Sequence, residues 1–467
     1  MTPEDAFASL NRSVGLAPLK MPAFSGSDPV MPTPFRAATA AAVALGLAAS
    51  AAHDVWRLRG GEAQTLSVDL KLAAASLVSF GIQRLDGKPV PRPGETNPTI
   101  AFYQGGDGRW IHLQGGFPHL QARTLELLNA KPDAQSIREA VAKWSAFALE
   151  DALAHLGQCG AVARTAEEWR SSPQGMALEK TPPVSLTRIG DARPLRLEKG
   201  EEPLDGIRVL DLTRVLAGPT CGRTLAAHGA DVLNVRAPRL DSIEAFMLDT
   251  GHGKRLADLD LVKPADAETL RKLVRGAHVF VDSYRPGALG KLGFTPAALA
   301  HAAPGIIHVG VSAYGAHGPW GERRGWEQLA QAVTGIAMEQ GAFVAARSRA
   351  KPMPALIPAA ACDYVTGYLA AAGAASALLR RIREGGSWKV EVSLAATAQW
   401  LQSLGRVDAA AVPDGWLAAA GLDGHMKSCE TRLGRLDYLG PVVAMSQTAP
   451  RWLRPPPDPG PAVWLYE

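Results

Sequence analysis

The stretch PAAACDYVTGYLAAAGAASALLRRIREGGSWKVEVSLAATAQ, residues 358–399, decides how the rest of the chain is read. Asp363 opens a helix of small residues, Arg380, Arg381 and Arg383 crowd its end, and Gly385-Gly386 stops it. An alternating Val390-x-Val392 strand follows. Helix feeding strand is the unit of a layered α/β protein. A helix N-terminus carries partial positive charge, so Asp363 is expected to be held there as a carboxylate. A plainer reading stands beside that one, since Asp is also among the favoured N-capping residues.

Residues 40–75, AAAVALGLAASAAHDVWRLRGGEAQTLSVDLKLAAA, replay the unit. Arg57 answers to Arg381 and Val68 to Val392, while the paired glycines slip by one residue, Glu384. Thr39 occupies the place of Asp363. Thr caps helices as well, so capping does not explain why one copy alone holds a carboxylate. Duplication followed by loss does.

The chain has 467 residues, 47% hydrophobic and 20% charged, as in an ordinary globular protein of two or three domains. A net charge of +4 with scattered Lys and Arg gives no nucleic-acid footprint. The four cysteines lack CxxC spacing, so neither a metal cluster nor a disulfide framework is expected, and a cytoplasmic setting is. No signal-peptide pattern opens the chain, and the apolar run Ala37 to Ala52 reads as too short for a membrane span.

Taken in order, residues 1–34 read as an irregular, proline-bearing lead-in and 35–80 as the partial repeat of the large domain's helix-strand unit. After the linker GKPVPRPGETNP, residues 97–175 read as a small α+β domain with a hairpin at Gly105-Gly106-Asp107-Gly108. His112, His119 and His155 there have no partner pattern and read as structural, and Thr165 with Glu168 has capping-box spacing. Residues 173–202 read as linker, 203–400 as the large domain, and 405–467 as a C-terminal return segment. The large domain alternates short apolar strands with helices, which predicts a doubly wound, parallel, Rossmann-like sheet. Its ligand belongs beyond the strand ends, at Thr213–Pro219, Arg236–Arg239, Ser283–Gly287 and Ala313–Gly318. The first turn reads Ala217-Gly218-Pro219 rather than GxGxxG, and no GxxxxGK[ST] occurs, which disfavours dinucleotide and P-loop chemistry.

At these residues the chain resembles the class III CoA-transferases, the family of formyl-CoA:oxalate and carnitine CoA-transferases and the alpha-methylacyl-CoA racemases. The carrying motifs are PLDGIRVLDLTRVLAGP at Pro203, GHGKRLADLDL at Gly251, DSYRPGALGKLGF at Asp282, RRGWEQLAQAVTG at Arg323 and CDYVTGY at Cys362. FYQGGDGRWIHL and CGAVARTAEEWRSSPQG in the first 200 residues resemble the family's second half, so the order of halves is permuted.

The resemblance implies a homodimer acting on a small-molecule acyl-CoA and a carboxylate, without nucleic acid or membrane. It implies coenzyme A thioester as substrate and no permanently bound cofactor or metal. Asp363 takes the place of the catalytic aspartate, which attacks the thioester and passes through an aspartyl intermediate. The implied CoA contacts are Val215, Leu216 and Ala217; Arg236, standing in beside Ala237; Leu259, Asp260 and Leu261; Ser283, Tyr284 and Arg285; Lys291; and Arg324, Gly325, Trp326 and Glu327. Two departures matter. Leu216 replaces a polar glutamine, and Gly325-Trp326-Glu327 replaces the Gly-His-Asp of the racemases, which disfavours the alternative of an acyl-CoA racemase or isomerase. The other alternative is a non-catalytic CoA-binding subunit.

Overall fold

The computed structural model describes residues 1–15, 19–91, 93–413, 415–416, 421–456 and 459–460. Its largest sheet is built on six parallel strands, β1 (Arg208–Leu212), β2 (Asp231–Arg236), β3 (Lys254–Asp258), β4 (Val279–Asp282), β5 (Ile307–Ser312) and β6 (Ser387–Ser393). Their order across the sheet is β3-β2-β1-β4-β5-β6. Val209, Leu210, Phe280, Val281 and Val309 are fully buried, as strands covered on both faces require. Between β1 and β4 the winding reverses, which leaves a crevice beyond their carboxyl ends. The loops Thr213–Pro219 and Ser283–Gly287 border it.

Four helices carry the site and the repeat: α1 (Ala37–Leu58), α2 (Ala217–Ala227), α3 (Glu327–Thr334) and α4 (Ala361–Glu384). The two copies of the repeat meet face to face, α1 against α4, because their buried alanines let the backbones approach. Thr39 and Asp363 are each the third residue of their helix. The copies part company at the strand. β6 joins the main sheet, whereas Leu66–Asp69 pairs with Ala23–Ser25 and Val443–Met445 in a separate three-stranded sheet. With 22 residues and a mean hydropathy of 1.3, α1 is longer than the apolar run suggested and could cross a membrane by length and composition. In the fold 94% of that window is buried against protein.

Two segments expected to be irregular are ordered. Residues Pro3–Ser13 form a helix whose first turn Thr2 caps, and Ala6, Phe7, Leu10 and Val14 bury one face. That spacing is helical, and Pro3 suits a first turn rather than breaking it. Inside the expected 173–202 linker, Val184–Gly190 runs antiparallel to β6 and covers that edge of the sheet. At the other edge Pro459–Gly460 pairs with β3.

The small unit is a hairpin, Ile100–Gln104 with Trp110–Gln114, extended by Gly160–Val162 and covered by helices Pro118–Leu128, Ala134–Val141 and Ala146–His155. Ile111, Leu113, Val141 and Leu149 form its own core. In the C-terminal region Met426–Thr431 and Gly434–Leu439 make a hairpin that pairs with Arg84–Leu85. Residues 461–467 of the expected return segment lie outside the described residues.

Candidate active site

The first turn of α4 faces the crevice. Asp363 caps nothing there: the N-cap position is Ala360, and the Cys362 N–H donates to Glu327 Oε1 at 3.3 Å instead. Asp363 is 9% exposed, and among the described residues its carboxyl has no hydrogen-bond or ion-pair partner. One turn on, Gly367 lets α2 close against α4. A Cβ at Gly367 would lie 2.5 Å from both the Ala217 carbonyl oxygen and Thr220 Cβ. This approach brings the Thr213–Pro219 loop over the carboxyl.

The electrostatics reverse the expectation that the helix start holds Asp363 as a carboxylate. Burial first, and then the negative charge of Glu327, push its pKa well above the usual range. Glu327 is itself pushed up to about 7 by burial, against the pull of Gln331 Nε2, which donates to it at 2.6 Å, and of the Cys362 N–H. Glu327 thus reaches Asp363 through its charge rather than through a hydrogen bond.

Asp363 stands between two cavities. The first, about 140 Å³, brings together Val215, Leu216, Ala217, Ser283, Tyr284, Arg285, Gly325, Trp326 and Glu327 with Asp363, and adds Arg323. The second, about 260 Å³, opens on the other side and is mostly apolar. Arg236 lines a smaller neighbouring cavity with Arg214 and Lys254, and it is held by Asp258 through bonds of 3.0 and 3.2 Å.

The remaining expected contacts are not brought to the first cavity. Leu259 is buried in the core behind the sheet, where Leu261 also packs, as apolar residues flanking a strand end do. Asp260 is occupied by Arg239 at 2.9 Å. Lys291 lies on the short 3₁₀ turn Gly290–Leu292. Arg324 is half-buried beside the first cavity; burial and then the charge of Arg285, with Arg123 also contributing, lower its pKa.

Two residues overlooked in the sequence hold the site together. Lys254, 1% exposed, donates to Asp211 Oδ2 and to the Pro219 carbonyl, both at 2.7 Å. Asp211 Oδ1 accepts from the Thr213 N–H and hydroxyl. Both ends of the loop are thus tied to one buried ion pair, while Val215 between them sits at a φ of 69°, a left-handed conformation that a β-branched residue adopts only under constraint. The signal was present: an aspartate within the apolar strand RVLDL and a lysine opening KRLAD are charges that need partners.

A family model described as CoA-transferase family III matches residues 204–416. Over this stretch the chain is similar to CoA-transferase family III. Among relatives, an acetyl-coenzyme A transferase of Hypoxylon pulicicidum is 32% identical over 66% of this chain and 55% of that one. An acyl-CoA transferase of Gibberella moniliformis is 28% identical over 80% of this chain and 72% of its own length. A formyl-CoA:oxalate CoA-transferase of Rhodopseudomonas palustris is 32% identical over 41% of this chain and 46% of that one. The chain thus spans about half the length of the first and third of these relatives. The matched stretch contains α2, α3, α4 and every wall of the first cavity.

Proposed function

We propose that the protein is an acyl-CoA:carboxylate CoA-transferase with Asp363 as its nucleophile. The observation that carries this reading is the carboxyl itself, buried, without a hydrogen-bond partner and set between an arginine-lined cavity and an apolar one at the switch point of the sheet. A carboxyl with no structural partner is free to form a bond.

In the reaction, the Asp363 carboxylate attacks the thioester carbonyl. The tetrahedral oxyanion collapses by breaking the C–S bond, leaving an acyl-aspartyl anhydride and CoA thiolate. The thiolate attacks the aspartyl carbonyl and releases the first carboxylate, giving an aspartyl-CoA thioester. The acceptor carboxylate then runs the two steps in reverse. Every step exchanges one anion for another, so no proton is consumed once Asp363 is ionised. The N-termini of α2 and α4 both approach the first cavity, and their partial positive charge favours the oxyanions. Arg285 and Arg323 supply cations there for the phosphates of CoA. Within the same reading the enzyme is a homodimer working in a reducing, cytoplasmic setting, where its four free cysteines stay reduced.

The test is mass spectrometry of the protein incubated with acyl-CoA thioesters and hydroxylamine. A hydroxamate at Asp363, absent from Asp363→Ala, supports the transferase; CoA binding without any adduct overturns it.

One observation favours a second reading. Glu327, with its pKa raised to about 7 beside another raised carboxyl, has the properties of a general base for an alpha proton, as a racemase or isomerase needs. Deuterium entering the alpha position of an acyl-CoA in heavy water, without CoA exchange, would select it.

A further inference from the structure

The second cavity at Asp363 is unlike the first. Its bulky walls include Phe80 at the end of the first repeat, Ile100 on the small unit's hairpin, Ile243 and Phe246 after β2, and Trp326 before α3. Phe80 and Phe246 meet edge to face at 5.0 Å. Gly116 leaves room for the Trp326 ring, which a Cβ there would approach to 3.1 Å. Among the described residues no lysine or arginine lines it, and its charged groups are the two acids, Glu327 and Asp363. Gln114 and Gln328 add a neutral amide pair, Nε2 to Oε1 at 3.3 Å. Arg214, Arg285 and Arg323 line the first cavity instead, and Arg236 and Lys254 line the smaller neighbouring one.

Resting on the transferase reading, we infer that this chamber takes the acyl group of the donor, and that the group is uncharged and apolar, of roughly five to ten heavy atoms. Size and charge both point that way. An apolar cavity of about 150 Å³ accommodates benzene, and this one is about 260 Å³, far more than a formyl or acetyl group fills. A dicarboxylic acyl group would set its free carboxylate among aromatic rings beside two acids, with no cation among the described lining residues to pair it. Phe80, Ile100 and Phe246 therefore set acyl specificity, while the arginine-lined cavity at the nucleophile receives the CoA arm.

The experiment measures binding of acetyl-, succinyl-, hexanoyl- and phenylacetyl-CoA by titration calorimetry, using Asp363→Asn to prevent turnover. Hexanoyl- and phenylacetyl-CoA are expected to bind at least roughly tenfold tighter than acetyl-CoA, well within what burying the extra methylenes supplies. Succinyl-CoA should bind no tighter than acetyl-CoA. Ile100→Trp in the same background fills the chamber and should shrink the hexanoyl-to-acetyl ratio to within about threefold. Phe246→Ala, if the first variant fails to fold, should instead move the preference to octanoyl-CoA. Equal affinities, or succinyl-CoA bound tightest, overturn the assignment.

Hydroxylamine trapping on the unmutated protein separates the two ideas. Hexanoyl preference without a hydroxamate breaks the transferase reading and leaves the chamber. A hydroxamate from acetyl- or succinyl-CoA without hexanoyl preference breaks the chamber and leaves the transferase.

Discussion

The two helix mouths of the repeat offer a controlled comparison within one chain. At α1, Asp28 reaches in from the preceding segment and its Oδ2 accepts the Thr39 N–H at 2.9 Å. At α4, Glu327 plays that part toward Cys362, and Asp363, in the place of Thr39, has no such task. Both Asp28 and Asp363 have pKa values raised first by burial. For Asp28, hydrogen bonds from Thr39 work against that rise; for Asp363, the one further cause, Glu327, adds to it. One mouth uses its carboxyl to close a helix, and the other keeps a carboxyl that closes nothing. In the transferase reading, that missing structural task is what separates the site from the cap.

The largest expected effect breaks this contrast at its centre. Asp363→Asn should lower kcat by about 10⁴-fold or more, because an amide is no nucleophile, with folding stability unchanged or improved. Rapid quench and denaturant titration together check both halves. Lys254→Met removes one partner of a fully buried pair and strands Asp211, so roughly 3–5 kcal/mol of stability should disappear from urea unfolding. Gly367→Ala forces α2 away from α4 and should cost about 1–3 kcal/mol, with kcat/KM down on the order of 100-fold as the loop shifts from the carboxyl.

Glu327→Gln sharpens the contrast through pH. With its folded pKa raised to about 7 from an ordinary 4.5, Glu327 contributes stability that is full below about pH 4.5 and lost as pH rises to about 7. Unfolding free energies across that window should fall by up to about 3 kcal/mol in the unmutated protein, and the variant should lack this share of the slope. Without the neighbouring charge, the Asp363 pKa drops, and the rising limb of the pH–rate profile moves to lower pH. The smallest effect belongs to the other mouth. Asp28→Asn keeps an acceptor for the Thr39 N–H, so its unfolding free energy should change by less than about 1 kcal/mol and its kcat not at all.

Much of this molecule is legible in its residues because the signals are local. Strand periodicity exposes the parallel sheet, and motif spacing exposes the crevice loops and Asp363. What escapes is decided at a distance. The edge strand Val184–Gly190 reads as linker until β6 supplies its hydrogen bonds. Leu259 and Asp260 follow a strand end, as CoA contacts should, yet the core claims one and Arg239 the other. A helix start favours a carboxylate at Asp363, a first-turn effect, but the cavity walls and Glu327, 36 residues earlier in the sequence, outweigh it. The apolar chamber has no sequence signature because Phe80, Ile100, Phe246 and Trp326 become neighbours only in the finished fold.

That scattering has a consequence for how the protein comes into being. The ribosome delivers Phe80 and Ile100 early, the loop over the carboxyl midway, and Asp363 last among the walls. The Tyr364 hydroxyl then accepts from Ser79 Oγ and donates to Asp249 Oδ2, joining the first turn of α4 to two earlier segments. In the transferase reading, reactivity toward thioesters therefore waits on α4: the residues made before it supply walls of the chamber, and the nucleophile comes only with Asp363.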